Sequence, residues 1–101
     1  MSDPFDKQDR ETLERAVGTW GIDAQADMAE EECAELIVAS KHYARGKIDA
    51  EELIDELADV RIMCEQLSVY ISPRRVDDRV SEKMDRLRER IEEAEGRGER
   101  E

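Results

Sequence analysis

Two short stretches carry six carboxylates between them: Glu30, Glu31, Glu32 and Glu35 in AEEECAEL, and Glu56 and Asp59 in ELADV. Each stretch contains a pair at i,i+3, the spacing that sets two side chains on one face of a helix. Carboxylates gathered in this way bind hard divalent cations, and no Glu-x-x-His of the kind used by di-iron bundles accompanies them. Mg²⁺ is the expected ion, with Mn²⁺ as its substitute. Mg²⁺ is commonly held by a few carboxylates and completes its coordination with water and substrate phosphates.

For these residues to meet, both stretches must be helical and the carboxylates must face inward. At about 100° per residue, Glu32 and Glu35 fall in or beside the apolar sector of Met28, Leu36, Ala39 and Tyr43. Glu30 and Glu31 fall further out. On the other helix Glu56 lies between Met63 and Leu67, and Asp59 borders the same side next to Tyr70. Burying an uncompensated carboxylate costs several kcal/mol, a conflict that a bound cation removes. A glutamate-rich helix is ordinarily a solvated face laced with ion pairs. That reading serves either stretch alone but accounts poorly for two pairs that both point inward.

Turn residues at Gly18 and Gly21, at Arg45-Gly46-Lys47 and at Ser72-Pro73 divide the chain into four helical segments. The first is expected over about residues 4–18, with Asp3 as N-cap and Pro4 in the first turn, and Trp20 marks the turn after it. The second covers about 23–44 and ends where Gly46 can take a left-handed conformation. The third follows an Asp49 cap, with Glu52 completing a capping box, and runs to about residue 70 before Pro73 stops it. The fourth, about 77–94, carries Val80, Met84, Leu87 and Ile91 at spacings of four, three and four, a seam suited to a neighbouring helix or subunit. No segment alternates with period two, so the fold class is all-α: a small helical bundle of about four helices in one domain over residues 1–95, with a frayed tail at 96–101. A chain of 101 residues has a thin core, and assembly into a homodimer or homotetramer is expected to complete it.

Composition narrows the function. With 28 acidic against 16 basic residues and a net charge of −12, the chain offers no field that attracts nucleic acid. An anionic substrate would need cations as intermediaries. Arginine outnumbers lysine twelve to four, which with the acid excess resembles proteins of a salt-rich cytoplasm. Cys33 and Cys64 form no CxxC motif and read as reduced core residues. No apolar run is long enough for a membrane span, and SDPFDKQDRE does not resemble a signal peptide, so a cytoplasmic protein is expected.

The arrangement Glu31-Glu32-x-x-Glu35, twenty intervening residues, then Glu56-x-x-Asp59 resembles the EExxE…ExxD signature of the MazG-like, all-α nucleoside triphosphate pyrophosphohydrolases. The resemblance spans about residues 13–71, where WGIDAQADMAEEECAEL and ELADVRIMCEQL look like small single-domain members of that family. It implies Mg²⁺-dependent hydrolysis of a nucleoside or deoxynucleoside triphosphate to the monophosphate and pyrophosphate. It also implies metal ligands at Glu32, Glu35, Glu56 and Asp59, with Glu31 at the motif's first position positioning water or a second ion. Lys41, then Arg45 and Lys47, are the candidate phosphate contacts; Trp20, Gln25, His42 and Tyr43 are candidates for the base, and Arg61 for pairing with the acidic cluster. Two alternatives stand beside this reading: a non-catalytic acidic helical interaction module, and an activity like that of phosphoribosyl-ATP pyrophosphohydrolase.

Overall fold

The structure, a computed structural model, describes residues 5–97. It is all-α: α1 is Lys7–Trp20, α2 Ile22–Ala44, α3 Ala50–Ile71 and α4 Pro73–Gly96, with no strand among the described residues. The chain separates into two compact units, Met1–Ile71 and Ser72–Glu101. In the first unit α1 to α3 pack together as a helical bundle, and α4 makes up most of the described part of the second.

Local chemistry explains the helix ends. The expected cap at Asp3 and start at Pro4 lie outside the described residues; α1 begins at Lys7, behind Asp6. The Asp6 carboxylate accepts the Asp9 N–H at 2.7 Å and the Asp9 carboxylate accepts the Asp6 N–H at 3.1 Å, a reciprocal box that satisfies two end donors. The helix continues through Gly18 to Trp20, and only Gly21, at φ +88°, separates it from α2. At the far end of α2 the chain turns at Gly46 with φ +71°. There the Gly46 N–H donates to the Tyr43 carbonyl at 3.0 Å and the Lys47 N–H to that of His42 at 2.8 Å, the paired bonds of a Schellman cap. Asp49 accepts the Glu52 N–H at 3.0 Å, but the reciprocal bond of the expected capping box is not formed among the described residues. Ser72 then accepts the Arg75 N–H at 3.3 Å with Pro73 in the first turn. Pro73 therefore both ends α3 and opens α4, and α4 starts four residues before the 77 expected from its apolar pattern.

Within the first unit α2 packs chiefly against α3, and α1 packs against both. The buried side chains are few: Leu13, Ala29, Ala39 and Met63, together with Gln25 and Gln66. The two glutamines satisfy one another, the Gln66 amide donating to the Gln25 carbonyl oxygen at 2.6 Å across the α2–α3 interface. Arg10 on α1 reaches Glu65 on α3 at 3.2 Å. Met28 and Tyr43 are almost half exposed and lie at the margin of the packed face. Cys33 and Cys64 are exposed free thiols and not the core residues expected. Partial desolvation against the neighbouring side chains, and then the proximity of Cys33, push Cys64 above the usual thiol range although the residue is exposed. In the second unit α4 buries no residue. No helix among the described residues is long and apolar enough to cross a membrane.

Candidate metal centre

The packed seam of α2 runs Gln25, Ala29, Glu32, Leu36, Ala39, at spacings of four, three, four and three. That of α3 runs Leu53, Glu56, Val60, Met63, Leu67, at three, four, three and four. Both patterns keep one stripe of side chains on the partner helix. In each seam one position that would ordinarily be apolar is a glutamate, half-buried: Glu32 and Glu56. The Gln25–Gln66 bond fixes which turn of α2 meets which turn of α3, and in the resulting antiparallel register Glu32 and Glu35 come opposite Glu56.

One carboxylate oxygen from each of Glu32, Glu35 and Glu56 lies within 4.8 Å of the others. Oε2 of Glu32 and Oε2 of Glu56 are buried without a hydrogen-bond partner among the described residues. Burial, followed by the charges of Glu35 and Asp59, raises the pKa of both side chains above the ordinary carboxylate value. Glu32 and Glu56 are half-buried, each with one oxygen lacking a hydrogen-bond partner among the described residues, whereas Glu35, expected to face inward with Glu32, is exposed. The all-oxygen donor set suits a hard cation.

The remaining candidates divide. Asp59 is exposed and stands outside the trio, although its charge acts on both Glu32 and Glu56. Glu31 is exposed on α2, also outside it. A groove of about 380 Å³ opens beside the carboxylates, lined by Glu35, Glu52 and Glu56 together with Val38, His42 and Ile48. His42 faces this groove, whereas the neighbouring Lys41 is exposed and does not line it. Arg45 ends α2, and Lys47 is tied by its backbone into the α2 cap; both are exposed and neither lines the groove. Trp20 is exposed at the end of α1, beside Thr12 and Arg15. Gln25 is 3% exposed and engaged with Gln66, so it serves the helix interface and does not face the groove. Arg61 is exposed and makes no ion pair among the described residues.

Glu52 is the groove residue that the sequence reading misses. It precedes Glu56 by one helical turn, which is the signal that places it on the same face, but its position three residues after Asp49 suggests a capping role instead. Compared with known proteins, the chain matches no family model, no curated protein and no solved structure.

Proposed function

We propose that this chain is a Mg²⁺-dependent hydrolase that converts a nucleoside or deoxynucleoside triphosphate to the monophosphate and pyrophosphate. The observation that carries the reading is the convergence of Glu32, Glu35 and Glu56, with two buried, unsatisfied carboxylate oxygens, at the edge of a groove. Glu32, Glu35 and Glu56 would hold the ion, with Asp59 adding negative charge at the rim and Glu31 available to orient water. A bound divalent cation supplies neutralisation of phosphate oxygens and a lowered pKa for water, the two requirements of phosphoryl transfer. The seam positions of Glu32 and Glu56 hold their carboxylates in place before substrate arrives, so little reorganisation is needed.

The apolar part of the groove, Val38 and Ile48, with His42 beside it, is the surface on which a nucleoside can rest while its phosphates reach the acidic part. Lys41, Arg45 and Lys47 lie toward the end of α2 beyond the apolar part of the groove, away from the carboxylates, and so are not assigned to the phosphates in this pose. Water attacks phosphorus and the pyrophosphate leaves, the proton passing to solvent. We place this activity in the cytoplasm and in a homodimer or homotetramer.

The test is a panel of canonical and modified triphosphates incubated with the pure protein and Mg²⁺, with the products identified. Pyrophosphate released by the wild type and lost in Glu32→Gln and Glu56→Gln supports the reading. No turnover across the panel, or release of orthophosphate alone, rejects it. A preference for phosphoribosyl-ATP over ordinary triphosphates would assign the same chemistry to a different substrate.

A further inference from the structure

Among the described residues unit 2 holds one helix, α4, of 24 residues, none of them buried. Val80, Met84, Leu87 and Ile91 are 41–52% exposed. With Ala94 they are spaced by four, three, four and three, the d-a-d-a-d positions of a heptad repeat. The charges of α4 also oppose its own dipole. Arg74 and Arg75 occupy a first turn that holds no acid, and Glu92, Glu93 and Glu95 crowd an end that holds no base. A helix charged in this way gains much from a partner along its apolar stripe.

The two flanks of the stripe differ. With Val80 at zero and about 100° per residue, one flank is a basic ridge of Arg79, Lys83, Arg86 and Arg90. The other holds Asp77, Asp85, Glu92 and Glu95 with Arg74 near its start and with Arg88, whose charge is met within the helix by Asp85 at 2.9 Å. In a parallel pair of helices each flank faces the opposite flank of its partner; in an antiparallel pair like faces like. Antiparallel self-pairing would set Lys83 and Arg90 of one copy against those of the other, whereas parallel self-pairing sets Arg90 opposite Glu95 and Lys83 opposite an Arg88 whose charge Asp85 already meets. Isoleucine at an a position and leucine at a d position, as at Ile91 and Leu87, favour two strands.

We propose that α4 pairs in parallel and in register with α4 of a second copy of this chain, forming a two-stranded coiled coil with Arg90 facing Glu95 of the second copy. The pairing stands independently of the proposed hydrolysis, because no residue of α4 belongs to the carboxylate cluster or its groove.

The test uses the full chain with Cys33→Ser and Cys64→Ser and a single new thiol from Val80→Cys, oxidised mildly and resolved without reductant. A parallel in-register pair brings the two position-80 thiols together, so a covalent dimer should dominate at micromolar protein. Leu87→Asp should abolish it. Arg90→Glu or Glu95→Arg alone should lower the yield and the two together should restore it, with circular dichroism confirming helix content throughout. A Val80→Cys chain that stays monomeric, a cross-link undiminished by Leu87→Asp, or a charge swap that fails to restore the yield would overturn the proposal.

Discussion

The Gln25–Gln66 bond is the place to test how the two acidic helices are held in register. Both side chains are 3% exposed and the bond is 2.6 Å, and Gln25 lies one heptad before Glu32. Gln25→Leu removes the acceptor and leaves the Gln66 amide buried without its partner, which costs about 1–3 kcal/mol. For a domain of this size each kcal/mol lowers the melting temperature by about 4–8 °C, so the single variant should melt about 4–24 °C below the wild type. Gln66→Leu should behave similarly. The double variant replaces both polar groups with apolar ones and should recover much of the loss, giving a favourable coupling in a double-mutant cycle. Thermal melts followed by circular dichroism, with Mg²⁺ titrated into each variant, separate stability from register. The double variant should be stable yet bind the ion more weakly, because apolar seams tolerate slippage that a buried polar pair does not. Strictly additive single variants, or unaltered ion affinity in the double variant, would refute the reasoning.

In metal-free protein the pKa values of Glu32 and Glu56 are raised above 4.5 by burial and by neighbouring acids. The folded state therefore holds protons that the unfolded chain has released, and stability should fall as pH rises from about 4.5 through the native values. Melts in EDTA from pH 4.5 to 8 should show that fall and saturating Mg²⁺ should flatten it; identical profiles with and without Mg²⁺ would count against it. Glu56→Gln removes one charge from the cluster, so its melting temperature in EDTA should exceed the wild type's and its gain on adding Mg²⁺ should be smaller. Gly46→Ala forces a β-carbon into the left-handed region at φ +71°, and should cost about 1–2 kcal/mol in chemical denaturation without changing ion affinity.

The inward set of Glu32 and Glu56 is legible in the sequence because seam positions repeat with helical period, and a carboxylate among them stands out. Helix existence is equally legible, from Gly46, Asp49 and Pro73. Less visible is anything set by tertiary register. Gln25 reads as a polar residue available to a ligand until Gln66, 41 positions away, is seen to bond it. Glu52 reads as a cap until the groove collects it, and His42 gains its place over Lys41 only when Ile48 folds beside it. The earlier start of α4 is hidden because the apolar pattern, which begins at Val80, starts about two turns after the helix does.

Mn²⁺ binding followed by electron paramagnetic resonance tests the central claim most directly, since the ion reports its own capture without any substrate. The account predicts a saturable site competed by Mg²⁺, weakened at least about tenfold by Glu32→Gln or Glu56→Gln and unchanged by Glu30→Gln on the solvated side of α2. Equal Mn²⁺ affinity in wild type, Glu32→Gln and Glu56→Gln would contradict it.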